Sequence, residues 1–387
     1  MHPALISHKI SKFIAHMTCR VTCLVVMVMI CLSAAPPAIA KMANRCDEPV
    51  FGAASIAIDK MAATAAEARQ TGVDAAAQTA FQQVLNRVLL SNEDQANFAA
   101  AHSYDAFTDF VHIIEEKNLE KRYIARLDFC FDAERMRTAM QQAGLQWAEL
   151  QSPPILLLPV WKDPDGTSAW LKNNSWIVGW HDAVDKYDGL VSLRRLPHSL
   201  THERRFRGTD LLAADPIKLA AAARIAKAEQ VLVVAATLDY EGSKRVVDVE
   251  ARLFDKTGQP ITTISSLSGI KLGKSDNAQL DATRQSILDR IEGSWRNANL
   301  IDSNATGYLL VDVPVTSVKQ WSDRLAALQQ VAVIKNVTIR TLDSDGGSVS
   351  LALVGSREAL KNALASHDLA LVDTGDVISI IAKSDGQ

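Results

Sequence analysis

Two histidines set four residues apart, His198 and His202 in the stretch HSLTHE, could hold a zinc ion from one helix face with Glu203 beside them. The order is not His-Glu-x-x-His. Pro197 and the basic run Arg204-Arg205-Phe206-Arg207 argue for a loop, so no metal site is assigned. Gly273-Lys274-Ser275 in GIKLGKS invites a phosphate-loop reading. That loop needs four residues between its glycines, and Gly269 and Gly273 have three. No Gly-x-Ser-x-Gly occurs, and no Cys/His pair has the setting of a nucleophile and its base. Glu115, Glu116, Asp128 and Asp132 lie close in sequence, and Asp128 and Asp132 would share one strand face, which at a strand end reads as solvent-facing charge. We therefore assign no catalytic residues and no cofactor.

The remaining chemistry is aromatic. PILLLPVWKDPDGTSAWLKNNSWIVGW, residues 154–180, holds four of the seven tryptophans: Trp161, Trp170, Trp176 and Trp180. They could form a platform for a sugar or peptide, with Asp163, Asp165, Asn173 and Asn174 as polar partners. The reading preferred here is that they close a core, each burying about 150–250 Å² over the open edge of a sheet. Trp176 and Trp180 are i and i+4 and share a helix face, which favours the core. Of the four, Trp170 is expected to be the most exposed.

The elements that must position these residues fall into three units. Asp47 to Trp147 reads as a small α+β domain (47–150). It has a strand over 49–59, a helix over 75–91, a polar loop, a second helix over 104–118, a strand over 122–132 whose apolar residues alternate from Tyr123 to Phe131, and a helix over 133–144 ending at Gly144. Pro153-Pro154 opens a mixed-sheet α/β domain (151–300). ILLLPVW (155–161) and QVLVVAATLD (230–239) are apolar throughout, as strands covered on both faces are. Residues 170–186 read as a helix, 190–197 as a strand and 209–229 as one or two helices. Thr209 or Asp210 is available to cap the first, and Asp215-Pro216 marks the start of the second. Residues 245–268 read as a hairpin turning at Lys256-Thr257-Gly258, and 279–296 as a closing helix. The third unit (306–385) has the order βαββαβ, which is ferredoxin-like.

The first 40 residues read as a secretory signal. Lys9, Lys12 and Arg20 precede the apolar run Val21–Ala35, too short for the roughly 20 residues of a membrane-spanning helix, and Ala38-Ile39-Ala40 fits a cleavage site. An uncleaved anchor is the alternative, and Met17 is a second candidate start. Removing this segment takes three of the 41 basic residues and none of the 44 acidic ones, leaving a net charge of −6. A mildly acidic chain without a basic block excludes an electrostatic nucleic-acid binder. Three of the five cysteines leave with the signal. Cys46 and Cys130 remain, either bridged or as two thiols.

PILLLPVW with the tryptophans that follow, LRRLP…GTDLLAADPIKLAAAARIAKAEQVLVVAA and FQQVLNRVLL resemble the bacterial family known as domain of unknown function 2066. The middle unit is also similar to the N-terminal α/β domain of TolB and of lipoprotein activators of peptidoglycan synthases. Where the family tends to carry Asn-Pro-Trp-Arg, this chain has Asn174-Ser175-Trp176-Ile177. The resemblance implies a periplasmic protein of a Gram-negative bacterium, with no assigned activity and with contacts to another cell-envelope protein. The leading expectation is a non-enzymatic binding or scaffolding module using a sheet edge or the Trp-rich face. The alternatives are an envelope hydrolase with its site between the first two domains, and a glycan- or peptide-binding module on exposed tryptophans. The first alternative requires convergent carboxylates or histidines in an interdomain pocket, the second requires exposed rings.

Overall fold

The computed structural model describes residues 46–273, 276–305 and 307–383. The signal segment 1–40, Lys274-Ser275 of the glycine-rich stretch, Thr306, and the end of the third unit from residue 384 lie outside them. The chain is a mixed α+β protein with helices packed on several sheets.

In the first unit, β1 (Gly52–Met61) leads into α1 (Ala65–Val88). Thr64 caps α1 by accepting from Glu67 N, while the Glu67 carboxylate reaches back to accept from Ala63 N, just before the cap. Gly72 lets α1 lie close on the sheet, since a Cβ there would come within 2.7 Å of Ile58 Cγ2. Next come α2 (Asn92–Ala101), β2 (Thr108–Asn118), β3 (Arg122–Phe131) and α3 (Ala133–Gln142). The antiparallel sheet runs β1-β3-β2. Two expectations are corrected here. Residues 104–118 are an edge strand after a short 3-10 turn rather than a helix, and the polar loop before them is α2, capped by Ser91. The helical misreading has a physical origin. Register shifts between Thr108 and Phe110 and between Ile113 and Glu115 each add a residue to β2, so its apolar residues lose the period of two.

A two-residue strand, β4 (Gln146–Trp147), leads into the middle unit: β5 (Ile155–Asp163), β6 (Gly166–Ser168), α4 (Ser175–Lys186), β7 (Leu193–Arg194), α5 (Leu200–Arg205), α6 (Gly208–Leu212), α7 (Pro216–Ala226), β8 (Gln230–Glu241), β9 (Lys244–Asp255), β10 (Pro260–Lys271) and α8 (Asp276–Ala298). Its sheet has the order β10-β9-β8-β5-β6, with β7 pairing in parallel to the start of β5. Only the β5–β8 and β5–β7 pairs are parallel. Both faces are covered: Leu157, Val234 and Trp176 face one core with α4 and α8, and Leu158, Val233 and Leu219 face the other with α7. The helix expected from residue 170 starts at Ser175, capped by Asn174, and the strand expected over 190–197 shortens to Leu193–Arg194. Asp215 caps α7 with Pro216 in its first turn, as its dipeptide suggests. Neither Thr209 nor Asp210 caps α6, whose N-cap position is Arg207 with no side-chain bond. HSLTHE is helical over α5 rather than a loop, because Ser199 accepts from His202 N and starts the turn.

The last unit holds β11 (Ile301–Asp302), β12 (Gly307–Pro314), α9 (Val318–Gln329), β13 (Ile334–Asp343), β14 (Gly346–Leu353), α10 (Arg357–Ser366), β15 (Leu369–Asp373) and β16 (Ile378–Ala382). The expected single final strand is a hairpin turning at Gly375, and the sheet order is β13-β14-β12-β16-β15, five strands with β16 parallel to β12. The buried residues of the first and last units belong to one continuous cluster, and β4 pairs antiparallel with β11. The middle unit is thus spliced between two adjacent strands.

Candidate functional site

The tryptophan platform does not exist. Trp161, Trp170, Trp176 and Trp180 are 7%, 6%, 0% and 0% exposed, so no ring is offered to a ligand. They fill both cores rather than covering an open sheet edge. Trp176 and Trp180 meet edge to face with centroids 5.6 Å apart on the α4 side, where Trp161 joins them, and Trp170 lies on the opposite side. Three of their N–H groups are used internally, while Trp180 Nε1 is buried without a hydrogen-bond partner. Trp176 Nε1 donates to Val234 O at 3.2 Å, Trp170 Nε1 to Phe206 O at 2.7 Å and Trp161 Nε1 to Asp163 at 2.9 Å. Asn174 is the cap of α4.

His198 and His202 pack around Trp170, with ring centroids 6.3 and 6.1 Å from it. His202 Nδ1 lies 2.8 Å from Pro197 O, and His198 Nε2 lies 3.8 Å from the Glu203 carboxylate. Beside them, burial and then the neighbouring Arg195 push the His181 imidazole below its ordinary pKa. No group of three or more His, Cys, Asp or Glu is arranged to hold a metal among the described residues.

Cys46 and Cys130 are joined in a disulfide with Cα atoms 5.5 Å apart, tying the start of the described chain to β3. Of the carboxylates, Glu115 pairs with Arg126 and Glu116 with Arg69, both at 3.0 Å. Asp132 caps α3, and Asp128 is buried and accepts from Ser55 N at 2.7 Å. All four are used in structure.

The seam between the first and middle units is polar. Arg87, 3% exposed, donates to Val50 O, Gly52 O and Asp188 O and pairs with the Asp188 carboxylate at 2.6 Å. Glu292 accepts from Leu190 N at 3.0 Å, Val191 N at 3.1 Å, Arg296 Nε at 2.9 Å and the Tyr187 hydroxyl. Burial, reinforced by Glu292, raises the Tyr187 pKa well above its usual range. The four donors occupy the acceptor sites of this carboxylate, which is engaged in holding the fold.

A hollow lies elsewhere. A groove of about 380 Å³ opens where the β9–β10 turn meets the start of α7. Its walls include Pro216, Phe254, Pro260 and Ile261, and Arg252 is its one charged lining residue. The floor depends on Gly258, whose φ of +83° is left-handed and where a Cβ would collide with the Pro216 carbonyl. The Asp255 carboxylate ties the turn by accepting from Thr257 N, Thr257 Oγ1 and Gln259 N at 2.7–2.9 Å, bonds that hold its pKa below the ordinary value. Arg252 is placed by Leu212 O, which accepts from Nη2 at 2.6 Å, by Glu250 at 3.3 Å and by the Phe254 ring at 5.7 Å. Along one side runs β10, the edge of its sheet, with Ile261 50% exposed; Ile217, next to Pro216, is 78% exposed. The arrangement can hold an extended chain by backbone pairing with an apolar side chain in the groove. Sequence reasoning placed the hairpin turn but not the groove, because its lining comes from the α6–α7 connection, β9 and β10. The one signal available beforehand was a glycine in a turn facing a helix start.

No family model matches the chain, and no curated protein matches it. Solved structures similar to it include the lipoprotein GNA1162 of Neisseria meningitidis, at 21% identity and TM-score 0.25, covering 37% of this chain and 99% of that one. Another is the hypothetical protein CT253 of Chlamydia trachomatis, at 14% identity and TM-score 0.25, covering 37% of this chain and 97% of that one. At these values neither bears on what the chain does.

Proposed function

We propose that the chain is a non-enzymatic binding or scaffolding module of the Gram-negative periplasm, which contacts another cell-envelope protein through the edge of β10 and the adjoining groove. The observation that carries this is the pairing of a sheet edge that no strand covers among the described residues with an adjoining groove of about 380 Å³, flanked by exposed Ile217 and Ile261. The compartment is supported by the Cys46–Cys130 disulfide, since such bonds persist in oxidising spaces. The sequence resemblance to domain of unknown function 2066 points the same way. Among the described residues no helix is long and apolar enough to cross a membrane. The hydrolase alternative has nothing in its favour at the seam, where Glu292 is saturated by donors.

The test is a crosslinking capture from the native envelope using the tagged chain and an Ile217→Lys, Ile261→Lys variant. Both side chains are exposed, so the variant should melt at the wild-type temperature. One dominant protein captured by the wild type and lost from the variant is the expected result. Equal capture by both would remove the groove from the account.

A further inference from the structure

We infer that the occupant of this groove is an extended segment of a partner protein in which acidic and apolar residues alternate. The inference rests on the binding-module reading and concerns what that module recognises.

Charge is the first argument. The groove contains a single ionisable lining residue, Arg252, and no carboxylate. On the far side of the same turn lies a second hollow, of about 300 Å³, lined by Arg224, Lys227 and Lys256 with Glu229 as its one acid. Lys256 pairs with Glu229 at 2.9 Å, which leaves Arg224 and Lys227 in excess. Neighbouring Arg194 is engaged with the last carbonyls of α7, donating to Ala226 O and Lys227 O at 2.9 and 2.7 Å. The second hollow is therefore net positive, beside a groove whose one charged lining residue is Arg252, itself paired with Glu250 at 3.3 Å, on a chain whose net charge is −3. A carboxylate-bearing ligand complements that local excess, and a basic one is repelled by it.

Geometry is the second. Gln259 to Thr263 all line the groove, and Pro260 to Thr263 run along the sheet edge. The four strand residues Pro260 to Thr263 cover about 13 Å, with a register shift between Pro260 and Thr262, so the alternation that matters is that of an extended ligand strand laid along them. A strand laid beside them places one set of side chains against Phe254, Pro260 and Ile261 and directs the other set toward solvent and the cations. The apolar walls select for the first set, and Arg252, Arg224 and Lys227 for the second. Arg252 has its Nη2 engaged by Leu212 O and its ring-stacked guanidinium fixed over Phe254, so it meets a carboxylate without first losing side-chain freedom.

A displayed library of random nonapeptides, panned on the purified mature protein, tests this. Two variants are panned in parallel: Arg252→Gln, and the surface pair Arg224→Glu, Lys227→Glu, which leaves the Arg252 contacts in place. The expected outcome is a consensus of Asp or Glu alternating with aliphatic residues. A synthetic peptide of that consensus should bind each variant at least about tenfold more weakly, with melting temperature unchanged in the surface pair. A basic or uncharged consensus, or the same enrichment on the surface pair as on the wild type, overturns the inference. So does flotation of the protein with phosphatidylglycerol vesicles that displaces the peptide, since the cations would then serve a membrane surface. Should the Ile217/Ile261 variant lose its envelope partner while the library shows no acidic preference, the binding-module reading stands and only this specificity falls.

Discussion

At the residue scale, the polar groups that look most like chemistry are structural. Arg87 satisfies three carbonyls and a carboxylate from a nearly water-free position. Replacing it with Met keeps much of the volume and strands those acceptors, so Arg87→Met should destabilise the chain by about 3 kcal/mol or more in urea titration. A loss below about 1 kcal/mol would mean that the seam reorganises around water. Tyr187 makes a pH prediction. Its pKa is raised by burial and by Glu292, so the folded state keeps the phenol proton longer than the unfolded state does. Its contribution is complete below the ordinary value of 10.0 and is lost as pH rises beyond it. The melting temperature should therefore fall more steeply above about pH 10 in the wild type than in Tyr187→Phe, with parallel curves at neutral pH. The tryptophans show what sequence holds at this scale. The i, i+4 spacing of Trp176 and Trp180 reveals a shared face, but not whether that face meets a sheet or solvent.

At the element scale, legibility followed regularity. The alternation of Tyr123 to Phe131 and the apolar runs of β5 and β8 mark strands because one or both faces are buried without interruption. β2 was unreadable because its bulges break the period, and most of its residues face water, so burial imposes no pattern either. α2 buries only Gln95 and Phe98, too few to signal a helix. The hairpin between β15 and β16 hides in a segment whose two strands are five residues each. The β9–β10 turn was readable, yet its purpose was not, because the close approach of Gly258 to Pro216 joins residues 42 apart. Gly258→Ala should cost about 1–3 kcal/mol from left-handed strain and collision, and should weaken binding at the groove in parallel. The comparison is a urea titration beside a peptide-binding isotherm. Full stability in that variant would show that the turn does not seat on α7 as described.

At the scale of the whole molecule, the sequence suggests three units in series, whereas the buried residues form a shared core for the first and last with the middle unit inserted through β4 and β11. Sequence order alone does not reveal this, since the contacts that join the outer units lie more than 150 residues apart in the chain. A chain lacking residues 151–299, closed by a flexible linker of about ten residues, should therefore melt in one cooperative transition. Separate transitions for its two parts would contradict the shared core. The central claim is that the edge of β10 is where the molecule meets its partner. The most direct measurement places a photocrosslinking amino acid at Thr262 and, as control, at Tyr308, which is 79% exposed on the last unit. Irradiation in the native envelope should give one defined adduct with an envelope protein from position 262 and none from 308. An adduct from 308 alone, or the same adduct from both positions, would contradict the account.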